Sequence, residues 1–231
     1  MDATVMPPDW LQTLSAVYVP ASIAAALAVA IDIGLIGRRQ PMLIMDIVWP
    51  VTMLYWGPVG LMAYAWFGRA SGGREASRSR DRSSRPPFWQ AVFKGASHCG
   101  AGCAVGDFIG DWIAFATGFT LFGTVLGGKF LLAFVLAYLL GILFQYASIV
   151  PMRGLGFRDG LIESVRADTL SLLAYEVGMF AWMGVSAWLL PGLEPTRWTY
   201  WLMMQAAMVL GFLTTCPVNA WLLRRGIKEA M

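Results

Sequence analysis

Residues 125–151, VLGGKFLLAFVLAYLLGILFQYASIVP, contain a single charged side chain, Lys129. The hydrocarbon core of a bilayer is about 30 Å thick, so a helix needs roughly 20 apolar residues to cross it. This stretch is long enough, and residues 179–193 are a second apolar run without any charge. Lipid requires backbone polar groups to bond within the protein, and these runs lack the alternation typical of barrel strands. They therefore predict transmembrane helices.

The composition of the whole chain supports this class. Of its 231 residues, 58% are hydrophobic and only 13% are charged, whereas soluble domains carry about 25% charged residues. A soluble globular protein is therefore excluded. We predict an all-α, polytopic membrane helix bundle of about six spans, at residues 15–36, 43–67, 97–120, 128–150, 169–190 and 200–223.

The polar segments divide the chain into three parts. Residues 1–67 hold two spans, residues 68–96 form an Arg/Ser-rich cytoplasmic linker with an interfacial anchor, and residues 97–231 form a four-span core. Within the second part, residues 68–87 have the composition of a disordered segment, and Phe88-Trp89 suit the interface. In the core, residues 152–168 are expected to form a short loop or an interfacial amphipathic helix.

The distribution of positive charge predicts the orientation. If the linker is cytoplasmic, 13 of the 17 Lys and Arg residues lie on that side, and the positive-inside rule places both termini in the cytoplasm. Arg38 and Arg39 conflict with this topology, and a re-entrant first span would remove the conflict. The net charge of +3 is spread over short loops. We therefore expect the lipid bilayer of an inner (plasma) membrane as partner, and no nucleic acid.

One predicted span carries most of the candidate chemistry. Residues 97–107, SHCGAGCAVGD, begin a pattern in which a thiol or an acid recurs every four residues, at Cys99, Cys103, Asp107 and Asp111. This spacing places the four side chains along one face of a helix. A second stripe consists of Gly102, Gly106 and Gly110. Small residues at this spacing let another helix approach closely in lipid, from this chain, a homo-oligomer or a membrane partner.

The thiols lead us to predict a protein that binds a soft metal ion, copper or zinc, in the cytoplasmic half of the bundle, with transport of that ion as an extension of the same hypothesis. Two thiolates four residues apart can bind one copper or zinc ion, and His98 could add a nitrogen ligand. Cys216 precedes Pro217, which breaks the backbone ladder of the last span. If all three thiols share an ion, the Cys216 sulfur should lie within about 8 Å of Cys99 or Cys103.

Three acids could continue a polar path from this site, namely Asp107, Asp111 and Glu176. Acids inside a membrane span are costly and usually paired or functional. We therefore expect protein to enclose Asp107 and Asp111, with water or a polar partner beside them.

Several alternatives remain at this point. The cysteines could be small apolar packing residues, or the chain could be an accessory subunit that packs through its glycine stripe. A thiol-redox enzyme using Cys99 and Cys103 is disfavoured, because their side chains are poorly aimed for a disulfide. We assign no catalytic residue. The single histidine excludes a haem with two axial histidines, and we expect neither haem nor nucleotide.

The SHCGAGCAVGD motif, followed by Trp112, resembles a bacterial membrane family, number 4396 in the series of domains of unknown function. The resemblance covers about the last 145 residues. It implies a multi-span bacterial membrane protein in which this motif matters, and it implies no activity or metal.

Overall fold

The computed structural model describes residues 6–70 and 87–229. These residues form six α-helices and no strand: α1 (Asp9–Gly34), α2 (Met45–Ala63, continued by a π-helical segment, Tyr64–Gly68), α3 (Phe88–Thr117), α4 (Val125–Arg153), α5 (Phe157–Leu189) and α6 (Trp198–Arg224). The all-α prediction is confirmed. Residues 71–86, most of the predicted disordered linker, lie outside the described residues.

Four of the helices are long and apolar enough to cross a membrane, namely α1, α4, α5 and α6. The chain is therefore a helical membrane protein. Helix α3 is less apolar because it carries the glycines and the polar residues of the motif. It occupies the middle of the bundle, where it packs on α4 along its length and also contacts α2, α5 and α6.

Helix α2 is a hairpin rather than a straight span. Gly57, with φ 57° and ψ −146°, interrupts the helix, and Pro58 follows it. The rings of Trp49 and Tyr64 are 5.4 Å apart, although fifteen residues of straight helix would separate them by about 22 Å. Gly68 packs directly on the Trp49 ring. The two arms, 45–56 and 58–68, therefore start and finish at the same end of the bundle.

Polar contacts hold the open end of this hairpin together. Gln40 donates its backbone N–H to Asp46 Oδ1 at 2.7 Å and its side-chain Nε2 to the Gly68 carbonyl at 3.0 Å. Two ion pairs add to these bonds. Arg39 Nη1 lies 3.4 Å from Asp46 Oδ2, and Arg69 Nη2 lies 2.6 Å from Asp32 Oδ1. The loop after α1 and the residues after the hairpin thus lie together.

This arrangement corrects the prediction of six spans. The second predicted span, residues 43–67, does not cross the bundle, and it is this segment rather than the first that is re-entrant. An apolar run of that length fits a straight span equally well, and only the Gly57-Pro58 break makes the chain turn back.

The hairpin also changes the relation between the two ends of the described chain. Arg197 Nη1 lies 3.6 Å from the Met6 sulfur, and Ser15 contacts Thr199. Glu229 instead pairs with Arg153, at the opposite end. The expectation places both termini on one side, whereas Met6 and Glu229 lie at opposite ends of the described bundle because the hairpin turns back.

Two helices begin much earlier than their predicted spans. Helix α3 begins at Phe88 instead of residue 97, because its first turns pack in the core. The ring centres of Phe93 and Phe212 are 4.9 Å apart there. Helix α5 runs unbroken from Phe157 and replaces both the predicted loop or interfacial helix at 152–168 and the predicted start at 169. Its polar early turns are tolerated in the bundle because Ser164 donates to the Gly160 carbonyl at 2.6 Å and Asp168 pairs with Lys228.

The glycine stripe of α3 faces α4 of the same chain. A Cβ atom added to Gly102 would lie 2.7 Å from Gly141 Cα, and one added to Gly110 would lie 2.9 Å from Ala133 Cα. A Cβ on Gly106 would overlap the Ala137 backbone. A second copy or another membrane partner could not use this stripe without displacing α4.

Candidate functional site

The polar line of α3 points into the bundle. The glycine stripe draws α4 against one side of the helix, and Cys99, Cys103, Asp107 and Asp111 are all buried by neighbouring helices. Asp107 is fully inaccessible and Asp111 is 2% exposed. The prediction that protein encloses both acids is confirmed.

Asp107 and Glu176 form the centre of this polar interior. In the described part of the chain, neither oxygen of either carboxyl group has a hydrogen-bond partner. Asp107 lies within electrostatic range of Glu176, and Glu176 lies beside the Cys103 thiol. A carboxyl group buried in this way avoids a large desolvation cost by holding a proton. Helices α3 and α5 thus each bring one unpaired carboxyl group into the interior of the described bundle.

Asp111 has a different environment from Asp107, one turn away. Lys129 Nζ of α4 lies 3.5 Å from Asp111 Oδ1. The Tyr200 hydroxyl donates to Asp111 Oδ2 and accepts from Lys129. This cluster closes the end of the bundle near Arg197. Sequence reasoning missed Lys129 as the partner, although a lone cation in an apolar run is a signal that it has one.

A second buried ion pair lies toward the opposite end. Lys228 Nζ donates to Asp168 Oδ1 at 2.5 Å and to Asn219 Oδ1 at 3.2 Å. Ser171 also donates to Asn219 Oδ1, at 2.7 Å. Sequence reasoning missed this site because Asp168 and Lys228 lie outside the predicted spans. The two acids at the centre therefore lie between two compensated ion pairs.

His98 is a buried core histidine near that second pair. Its Nε2 lies 2.8 Å from Ser148 Oγ of α4, and it is within electrostatic range of Asp168 and Lys228. Its Nδ1 has no hydrogen-bond partner among residues 6–70 and 87–229. The hydrogen bond fixes the ring between α3 and α4.

The three cysteines occupy one region of the core without forming a metal cage. Cys99 lies next to Cys103, and Cys216 packs against the same apolar cluster. All three thiols are within electrostatic range of the Tyr55 hydroxyl, which the α2 hairpin supplies. Nowhere in the residues that the structure describes do three His, Cys, Asp or Glu side chains group to hold a metal ion.

The break in the α2 hairpin is stabilised by side chains from two other helices. Tyr18 of α1 donates to the Trp56 carbonyl at 3.0 Å, and Gln205 of α6 donates to the Leu54 carbonyl at 2.7 Å. Irregular backbone at membrane depth is tolerated only where protein or a cavity surrounds it. The hairpin tip is accordingly embedded, and it brings Tyr55 to the thiols.

An apolar cavity of about 530 Å³ lies next to the tip of the hairpin. It is lined by Val51 and Leu54 of the hairpin and by Arg197 and Trp201 near the start of α6. On α3 it touches Ala104, Phe108 and Trp112, each one position after a residue of the polar line. The cavity and the two central acids therefore lie along different faces of α3.

Residues 88–228 match the model of a family described as Domain of unknown function (DUF4396). The chain belongs to the DUF4396 family. Neither the comparison with curated proteins nor that with solved structures gives a match.

The DUF4396 match begins at the first residue of α3 and ends at Lys228. It contains both buried ion pairs, the two central acids and all three cysteines. Helix α1 and the α2 hairpin, including Tyr55, precede the matched residues. The polar interior is thus built by the DUF4396 domain, and the hairpin adds one wall to it.

Proposed function

We propose that this DUF4396 protein translocates protons across the bacterial inner (plasma) membrane and that Asp107 and Glu176 carry the transferred proton. The observation that supports this proposal is the pair of buried carboxyl groups on facing helices, with their four oxygens free of hydrogen bonds within the described residues. Acids inside a membrane bundle commonly serve as proton relays. Proton transfer between side chains converts no substrate, so we assign no catalytic residue.

The flanking ion pairs support the proton as the transferred ion. Asp111 and Asp168 already have ammonium partners, Lys129 and Lys228, so neither acid has a free charge to attract a metal cation. The central acids lack such partners and can each bind and release a proton. A proton also passes between adjacent side chains without requiring a pore wide enough for a hydrated ion.

The test is proton flux into proteoliposomes, followed with an internal pH-sensitive dye under an imposed membrane potential. We expect Asp107→Asn and Glu176→Gln to lower the flux at least about 100-fold, the contribution typical of a positioned proton-transfer group. Glu163→Gln is the matched control, because its carboxylate lies at the edge of the bundle and pairs with Arg153. Unchanged flux in both central variants would contradict the proposal.

Binding and transport of copper or zinc is a second candidate. It rests on the thiols next to each other on α3, because no group of three ligands is found among the described residues. Cys99 and Glu176 both lie beside the Cys103 thiol, and thiolates with a carboxylate suit a soft ion. Elemental analysis of the purified protein tests the idea. Cys99→Ser, Cys103→Ser and Cys216→Ser should each lose bound metal, whereas the proton proposal expects Cys216→Ser to keep full flux.

The remaining alternatives have less support. Cys99 and Cys103 are fully buried, so a thiol-redox enzyme would have no accessible nucleophile in this conformation. An accessory subunit that binds through the glycine stripe would have to displace α4.

A further inference from the structure

We propose that Asp168 and Asn219 form a binding site for a primary ammonium group and that Lys228 fills this site from within the same chain. The site lies between α3, α5 and α6, and it is distinct from Asp107 and Glu176. Its test measures binding rather than transport, so it stands or falls independently of the proton proposal.

The ammonium enters the bundle from outside the helices. After α6 the chain turns at Gly226, with φ +66°, and the Ile227 N–H bonds back to the Leu222 carbonyl at 3.0 Å. The Lys228 side chain then extends inward until only 3% of the residue is exposed. Its Cε would lie 3.9 Å from a Cβ atom on Gly95. The cation is thus delivered by a short segment, whereas the site belongs to the bundle.

The polar groups around the ammonium exceed what Lys228 uses. Asp168 Oδ2, Asn219 Nδ2 and His98 Nδ1 have no hydrogen-bond partner within the part of the chain that is described, although all three residues are fully inaccessible. An ammonium has three donors, and Lys228 directs two of them to Asp168 and Asn219. The free carboxylate oxygen of Asp168 is an acceptor for a third.

The Lys228 segment is held more weakly than the site itself. Apart from the ammonium, the N–H groups of Ile227 and Lys228 bond to the Leu222 carbonyl at 3.0 and 3.4 Å. The other anchor is the partly exposed pair of Glu229 with Arg153 at 2.9 Å, and such pairs contribute little to stability. Asp168 and Asn219 instead lie on α5 and α6, two long helices that pack against each other. If the segment moves away, a buried carboxylate is left that needs a cation. Where the Lys228 ammonium is removed, a small molecule with a primary amine has the charge and donors to take its place.

The experiment uses Lys228→Ala protein and methylammonium, the smallest alkyl analogue of the lost group. We expect the variant to unfold at a lower temperature than wild type in detergent. Methylammonium chloride should raise the Tm of the variant and leave wild type unchanged, because Lys228 already occupies the site. Tetramethylammonium has the same charge and no N–H donor, so it should have no effect.

The double variant Asp168→Asn/Lys228→Ala provides the control and should not respond to methylammonium. Equal shifts in wild type and in Lys228→Ala, or equal shifts with tetramethylammonium or potassium, would overturn the proposal. Lys228→Met, which keeps the apolar stem, is measured in the same way. Failure of both single variants to fold even with methylammonium present during purification would also count against it.

Discussion

The contrast between Asp107 and Asp111 shows how neighbouring residues on one helix acquire different chemistry. Both acids lie on the same side of α3 and both are buried. Asp111 contacts Lys129 and Tyr200, whereas Asp107 has no such partner and lies within electrostatic range of another acid, Glu176. One acid is therefore a structural charge, and the other is a group that can exchange a proton.

The structural role of Asp111 can be tested with a double-mutant cycle. Lys129→Met leaves a buried carboxylate without its cation, and we expect a loss of about 3 kcal/mol in the free energy of unfolding. Lys129→Met/Asp111→Leu removes both charges and should recover most of that loss. Unfolding of the purified variants in mixed micelles provides the measurement.

Arg153→Met is the matched control, because its partners Glu163 and Glu229 are partly exposed. We expect it to cost less than about 1 kcal/mol. A double variant as unstable as Lys129→Met alone would show that the pair is not the source of the loss.

The sequence could identify most of these residues but not their partners. The four-residue spacing of Cys99 to Asp111 marks a polar helix face, and Glu176 is conspicuous in an apolar run. Lys129 joins Asp111 because α3 and α4 are antiparallel and in a particular register. Lys228 reaches Asp168 because Gly226 turns the chain inward. Such long-range pairings depend on packing and leave no local pattern.

At the scale of elements, the backbone contact between α3 and α4 fixes the position of the polar line. We expect Gly106→Ala to destabilise the protein, since its Cβ would overlap the Ala137 backbone and the helices would have to separate. Gly184→Ala is the control. Gly184 also lies inside a helix, and nothing is within 4 Å of its added Cβ.

The two alanine substitutions should affect the stability of the protein differently: Gly106→Ala should lower it, and Gly184→Ala should not. Alanine favours a helix by up to about 1 kcal/mol over glycine, so Gly184→Ala should be neutral or stabilising. Thermal unfolding in detergent compares them directly. Equal stability of Gly106→Ala and wild type would mean that α4 does not lie against the stripe.

Helix positions were easier to predict than helix roles. The spans predicted at 128–150 and 200–223 lie inside α4 and α6, because hydrophobic length alone determines them. The α2 hairpin differs, since an apolar run does not tell whether a chain crosses a bilayer or turns back. Gly57-Pro58 was the available signal. Helix α5 extends beyond its predicted start because its polar turns pack on other helices.

At the scale of the whole molecule, the hairpin reconciles the fold with its charge distribution. Arg38 and Arg39 now lie at the same end as Arg69 and Arg153, and Arg197 lies at the other. The positive-inside rule then predicts a cytoplasmic location for the first end, without the conflict seen in a six-span topology.

This topology predicts the labelling of single introduced cysteines by an impermeant thiol reagent in intact cells. Ile36→Cys and Arg158→Cys should be protected until lysis, and Thr196→Cys should be labelled from outside. All three are at exposed positions. A Cys216→Ala background suits the experiment, because Cys99 and Cys103 are buried. Labelling of Ile36→Cys and Arg158→Cys from opposite sides would show that α2 crosses the membrane.

The close packing at glycine divides the bundle into two mechanical units. Backbone meets backbone between α3 and α4, and again between α5 and α6, where a Cβ atom on Gly178 would lie 3.0 Å from Gly211 Cα. Such contacts leave no layer of side chains that could adjust to sliding, so we expect each pair to move as a single body. Asp107 belongs to one body and Glu176 to the other. A rocking motion between the two bodies would change the distance between these two carboxyl groups. The proposed proton transfer between them would then be possible in one position of the bodies and interrupted in the other.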